Sequence, residues 1–176
     1  MSDLNHTLLE TARLLRQKTQ KEVAEAIGIS QAFLSKAEHG LQDLPIDVVQ
    51  RLSGYYDLPM TFFMREGGMS PLGHLYYRKK LTISNKVIDS FVAKVKIFKS
   101  IVDDLTSAFE LPEYTMDSHV PDENQSPKEI ARKIRHQLGI YQGAVPNLAT
   151  LLENNGVIII RFDFGTDKID GLTTIT

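Results

Sequence analysis

Cysteine is missing from all 176 residues, which excludes a disulfide framework, a thiolate nucleophile and a thiolate metal site. No apolar run approaches the roughly 20 residues that span a bilayer, and the N-terminus lacks the basic-then-apolar order of a signal peptide. These absences predict a cytoplasmic protein without membrane contact. Net charge is nearly absent too: 20 Lys and Arg against 22 Asp and Glu leave a formal charge of -2, so no global basicity points to a nucleic acid. Also lacking is any spacing that carries catalysis. Two histidines four apart with a glutamate between would put two zinc ligands and a base on one helix face. His6, His39, His74, His119 and His136 offer no such pair. His136 reads as a surface residue, and Asp103, Asp104, Asp163, Asp167 and Asp170 read as solvated. The chain is expected to be no enzyme and to hold no cofactor and no metal.

What is present is an ordinary globular composition, 42% hydrophobic and 24% charged, in a length that suits one mid-sized domain or two small ones. The charge is unevenly placed. Seven basic residues (Arg78, Lys79, Lys80, Lys86, Lys94, Lys96 and Lys99) stand against Asp89 between Tyr76 and Ser100. The following stretch from Ile101 to Gln125 holds seven acids and no Lys or Arg. Such a field could attract phosphate or pair head to tail with another copy.

The pattern along the chain predicts a mainly α protein. Residues 1–66 alternate short amphipathic stretches with turn signals, and the breaker cluster Glu66-Gly67-Gly68-Met69-Ser70-Pro71-Leu72-Gly73 opens a linker over 67–83. Ile88, Phe91, Val95, Phe98, Val102, Leu105 and Phe109 recur at alternating steps of three and four, a heptad seam on one long helix over 84–110. Val87, Val92 and Ile101 widen its apolar face. Ser84 is its expected N-cap and Leu111-Pro112 its end. The seam must be covered, either by the chain's own later helices or by a second copy as a dimer contact. An acidic linker over 111–125 leads to an α+β segment over 126–176. There Ser126-Pro127-Lys128-Glu129 opens a helix that places Ile130, Ile134 and Leu138 on one face before Gly139. A short helix over Pro146–Asn154 precedes the β-branched run from Val157 to Phe162, which reads as a buried strand, and Gly171–Thr176 reads as another. A chain that stops on a strand reads as interrupted.

The chemistry concentrates between Thr19 and Gly40. Thr19 with Glu22 three residues on caps a helix from Gln20, buried through Val23, Ala24 and Ile27. Gly28 permits the left-handed turn that stops it, Ile29 plugs the corner, and Ser30 caps a second helix at once. Leu34 and Ala37 point that helix inward, leaving Gln31, Ala32, Phe33, Ser35, Lys36 and His39 outward. Two short helices joined so tightly cross steeply, and the second projects as a ridge. A glutamine can pair with adenine, Ala32 or Phe33 can meet a thymine methyl, and Lys36 can reach guanine or phosphate. Thr19 and Gln20, at the positive end of the first helix, are placed to hold a backbone phosphate. Taken singly, the same polar residues could merely be the solvated face of a helical bundle. Register of turn, caps and core favours double-stranded DNA.

This stretch resembles the XRE family of phage-repressor-like DNA-binding domains, from about Ala12 to Phe63. Thr-Gln at the helix start, Ala-x-x-x-Gly into the turn, the serine cap and Glu-x-Gly at the close carry the likeness. The resemblance implies a five-helix domain with helix 1 over Asn5–Gln17, helix 4 over Ile46–Tyr55 and helix 5 over Pro59–Met64. One departure is charge: Met1–Arg65 holds seven Lys and Arg against eight Asp and Glu, which implies weaker binding through phosphates than in a basic relative.

Later residues resemble the opening of an ImmA/IrrE-type metallopeptidase module, as in bacterial regulators that join it to an XRE domain. Tyr77-Arg78-Lys79-Lys80 before the long helix, the capped helix Pro127–Leu138 and Pro146-Asn147-Leu148 through Gly156-Val157 carry that likeness. The zinc helix of that family is absent. The expected function is a sequence-specific transcriptional regulator, a dimeric repressor reading a short inverted repeat. Two alternatives stay open: the regulatory part of a zinc peptidase whose catalytic helix lies beyond residue 176, or an antitoxin-like module with a protein partner on residues 76–176.

Overall fold

The computed structural model describes residues 4–67, 69, 72, 75–79, 83–109, 112–114, 125–163 and 169–174. Five helices open the chain: α1 (His6–Leu15), α2 (Gln20–Ile27), α3 (Gln31–Glu38), α4 (Ile46–Tyr56) and α5 (Met60–Phe63). Strand β1 (Leu75–Lys79), the long helix α6 (Asn85–Thr106), helices α7 (Pro127–Gln137) and α8 (Leu148–Glu153), and strand β2 (Ile169–Thr174) follow. The mainly helical class read from the sequence holds. The chain divides into two compact units, Met1–Leu105 with Phe164–Thr176, and Thr106–Asp163.

In the first unit, each of the first five helices gives one apolar stripe to a common core. Leu9 and Ala12 of α1, Val23, Ala24 and Ile27 of α2, Leu34 and Ala37 of α3, and Val48, Val49, Leu52 and Tyr56 of α4 meet there with Leu44 and Phe63. Alanine at positions 12, 24 and 37 puts only a methyl group between the helices, which lets their backbones approach closely. The two ends of this bundle are tied together: the Asn5 backbone amide donates to the Phe63 carbonyl at 2.8 Å, and Asn5 Nδ2 donates to the Arg65 and Gly67 carbonyls at 3.0 and 2.9 Å.

Helix α6 packs back on this bundle. Its buried residues Ser90, Phe91, Ala93 and Val95 lie in its first half. Ser90 Oγ donates to the Leu15 carbonyl at 3.0 Å, and Arg65 reaches both the Ser100 carbonyl (3.2 Å) and the Asp104 carboxylate. The heptad seam is therefore divided. Phe91 and Val95 are covered within the unit, whereas Ile101 and Leu105 are 42% and 56% exposed. The helix also stops at Thr106, earlier than the Leu111-Pro112 boundary expected from the sequence.

Two findings correct the strand reading. The expected linker over 67–83 contains β1, which pairs antiparallel with β2 from Leu75 opposite Thr174 to Lys79 opposite Ile169, with an irregularity between Arg78 and Lys79. Conversely, Val157–Phe162 forms no strand, and Ile158 and Ile160 are exposed. β-branched residues favour extended backbone, but a strand exists only where a ladder partner supplies its hydrogen bonds.

In the second unit, α7 carries the capping box read from the sequence. Glu129 Oε2 accepts from the Ser126 amide at 2.8 Å, and Ser126 Oγ accepts from the Glu129 amide at 3.3 Å. Asn147 caps α8 by accepting from the Thr150 amide at 3.2 Å. Gly156 sits at φ +82°, and a Cβ there would lie 2.6 Å from the Tyr114 backbone, so only glycine fits this corner. Neither α7 nor α8 has a fully buried residue. His136 is exposed and meets Tyr141 edge-on at 4.8 Å.

Candidate nucleic-acid interface

The turn between α2 and α3 is three residues long because each of the three has one task. Gly28 adopts the left-handed conformation (φ +72°, ψ +42°) that a side chain would strain, and its amide bonds back to the Ala24 carbonyl. Ile29 is half-buried against the core. Ser30 leaves the turn in extended geometry, its Oγ accepting from the Phe33 amide at 3.1 Å, and α3 begins at the next residue.

Helix α2 starts on a reciprocal cap. Thr19 Oγ accepts from the Glu22 amide at 3.2 Å, while Glu22 Oε2 accepts from the Thr19 amide at 2.7 Å and from its hydroxyl at 2.8 Å. These hydrogen bonds, the backbone one foremost, hold the Glu22 carboxyl below its ordinary value of 4.5. A depressed native pKa means the cap is fully formed above the unfolded value and lost as pH falls through the native one. In an NMR titration Glu22 should therefore protonate below 4.5, with the first-turn amides of α2 losing protection in the same interval. Thr19→Ala, which removes the hydroxyl but keeps the backbone donor, should lessen the depression without abolishing it. A Glu22 midpoint at or above 4.5 in the unaltered chain contradicts this cap.

The residues expected to face DNA divide into three groups. Gln31, Ala32, Lys36 and His39 are exposed on α3, and Ser35 is half-exposed beside them. Lys36 has no ion-pair partner among the described residues. His39 Nδ1 donates to the Ser35 carbonyl at 2.7 Å, which leaves Nε2 as the outward ring nitrogen. Thr19 and Ser30 form a second group: both are exposed, and both spend their side-chain oxygens on caps. Phe33 and Gln20 form the third group, both partly buried. Phe33 is half-buried and packs on the core, because an aromatic ring one turn into α3 finds apolar cover beside Leu34. Gln20, at the start of α2, donates from its Nε2 to Glu38 Oε2 at 2.8 Å.

That contact belongs to a buried network that sequence reasoning missed. Arg13 Nε and Nη2 donate to Glu38 Oε1 and Oε2 at 2.7 and 2.8 Å, a paired, charge-assisted contact between α1 and α3. Arg13 Nη1 also donates to the Lys18 carbonyl at 3.2 Å, and Glu10 lies 3.6 Å away. Burial disfavours the guanidinium charge, but Glu38 outweighs that and raises its pKa. With Gln20 added, one carboxylate fixes α1, the start of α2 and the end of α3 against each other. The signal available beforehand was the spacing from Leu34 to Glu38, which puts an acid on the same inward face. The Tyr56 hydroxyl is buried beside this pair without a hydrogen-bond partner among the described residues, and burial pushes its pKa up, the Glu38 charge adding to the shift.

Among the described residues no group of three His, Asp or Glu is placed to hold a metal ion, and no helix is long and apolar enough to cross a membrane. No curated protein and no solved structure matches the chain. Residues 9–63 match the family model described as helix-turn-helix, in agreement with the XRE resemblance over Ala12–Phe63; the match does not extend to the residues that resemble a metallopeptidase module. The matched segment is the one that folds as α1 to α5 around the Gly28 turn, and the chain thus carries an N-terminal helix-turn-helix domain.

Proposed function

We propose that the chain is a sequence-specific DNA-binding transcriptional regulator, a dimeric repressor that reads a short inverted repeat. The observation that carries this reading is the exposed row Gln31, Ala32, Lys36 and His39 on α3, held by an inner face of Leu34, Ala37 and Glu38 within the matched helix-turn-helix segment. On this reading α3 enters the major groove. Gln31 pairs with adenine, Ala32 meets a thymine methyl, Lys36 takes a guanine edge or a phosphate, and Ser35 and His39 border them. Thr19, Gln20 and Ser30 stand at the backbone, and Phe33 positions the helix rather than reading a base. Residues 1–66 act as the DNA-binding domain, and α6 carries the dimer contact.

Selection of tight duplexes from a random-sequence pool, followed by gel shift, tests the assignment. Gln31→Ala and Lys36→Ala should each lose about 1–3 kcal/mol of discrimination at the base they read, roughly 5- to 150-fold, with folding intact. Binding unaffected by both changes overturns the site. A second reading, an antitoxin-like module with a protein partner, is favoured by the apolar surface on residues 106–163, where Tyr141, Leu148 and Ile158 are exposed. It is compatible with DNA binding by α3.

A further inference from the structure

A cleft of about 420 Å³ opens beside the start of α2, and α6 forms part of its wall. Thr19, Gln20 and Gln31 line it from the helix-turn-helix side, and Lys86 with Asp89 lines it from the first turns of α6. Lys18 and Lys21 also border it, Lys21 within 3.9 Å of Glu25, and among the lining residues three lysines stand against the single carboxylate of Asp89. Arg13 also lines it, already neutralised by Glu38.

Lys86 stands beside the one acid of the α2 cap. Glu22 is required for the α2 cap, yet it puts a carboxylate where a phosphate would approach Thr19 and Gln20. Lys86 Nζ lies 3.8 Å from that carboxylate oxygen, with the two side chains 50% and 47% exposed. A solvated pair of this kind is worth little, so its cation exchanges readily for another anion. The backbone of α6 is meanwhile fixed on the bundle by Ser90 to Leu15 and by Arg65 to Ser100 and Asp104. Lys86 is therefore presented at a defined place, though it lies outside the segment that matches the family.

We propose that this cleft seats a backbone phosphate of bound duplex DNA and that Lys86 of α6 supplies its cation, so the DNA-binding surface is built jointly from α2, α3 and α6. The inference rests on the DNA-binding reading above and assigns it a contact beyond the helix-turn-helix domain. Phosphate contacts are independent of sequence, so a mixed-sequence duplex of about three helical turns serves as the probe.

The test is fluorescence anisotropy of that duplex with the full chain between 50 and 200 mM salt. Lys86→Ala should weaken binding at the low end and flatten the plot of log affinity against log salt by about 0.9 for each protomer engaged. Equivalently, the affinity of the unaltered chain should fall roughly three- to fourfold further than the variant's, per contact, across that fourfold rise. Lys86→Arg should retain the slope, and Lys128→Ala, which removes the same charge from α7, should not change it. Circular dichroism checks that each variant is folded. If the unaltered chain shows no salt-dependent binding, the DNA reading fails and this inference fails with it. If it binds normally and Lys86→Ala has the same slope, only the α6 assignment is overturned. Binding of inorganic phosphate that depends on Lys86 while duplex affinity does not would also overturn it, identifying a small-anion site instead.

Discussion

Glu38→Ala is expected to destabilise the helix-turn-helix domain by about 3 kcal/mol, at the lower end of the ~3–5 kcal/mol typical of breaking a buried ion pair. The Glu38 side chain is 2% exposed and that of Arg13 is 11%. Truncation would strand the Arg13 guanidinium with two donors unmet and release the Gln20 amide. The Lys18 carbonyl and Glu10 remain near Arg13, which is why the lower end of the range applies. Arg13→Met should cost a similar amount by leaving the buried Glu38 carboxylate without its counter-charge, held only by the Gln20 amide. The pair Arg13→Met with Glu38→Leu should recover most of the loss, because well-packed apolar residues avoid the desolvation that an ion pair suffers. Native-state hydrogen exchange at the Leu34 and Leu52 amides confines the measurement to this core. Single variants within about 0.5 kcal/mol of the unaltered chain, a level usual for surface changes, would show that the network carries no stability. Since a domain holds only about 5–15 kcal/mol in total, the expected loss is a large share. DNA binding should fall with it, although Glu38 faces away from the exposed row on α3.

What could be read beforehand was local, and what could not was distant. Thr19 with Glu22 and Ser126 with Glu129 each satisfy one another within a single turn, so both caps were legible from three-residue spacing. Gly28 was legible for the same reason, since the turn needs a conformation that glycine alone adopts without cost. Arg13 and Glu38 meet across two helices, and nothing in the spacing between them reports that. The pairing of β1 with β2 joins segments on either side of α6, α7 and α8. Composition favoured Val157–Phe162 as a strand instead, because propensity records comfort in extended backbone and not the presence of a partner. Phe33 shows the same limit within the site. Helical spacing placed it outward, but a large ring beside Leu34 gains more by folding onto the core. The heptad seam was a true helix signal whose cover differs along its length, which periodicity alone does not encode.

If the proposed dimer forms through α6, Leu105→Glu is expected to convert it into a monomer and to weaken binding to an inverted repeat by roughly 10²- to 10⁴-fold, the avidity that linking two sites confers. Contact with a single half-site should be unchanged. The reasoning begins from charge. Residues 1–65 hold no net surplus of basic groups, so one domain gains little from phosphates and few base pairs from α3. Useful affinity then depends on holding two domains together. Within α6, Phe91 and Val95 are already buried, whereas Ile101 and Leu105, one helical turn apart, remain exposed. A carboxylate at Leu105 would face its symmetry mate across a two-fold contact, adding like-charge repulsion to lost apolar burial. Ile101→Ser should weaken the dimer in the same direction but less, since it removes burial without adding charge. Sedimentation equilibrium, set beside gel shifts on full and half sites, separates the two effects. A Leu105→Glu chain that keeps the oligomeric state and full-site affinity of the unaltered protein would place the dimer contact elsewhere. Loss of half-site binding as well would mean that the substitution damages α6 packing on the bundle, and with it the position of Lys86.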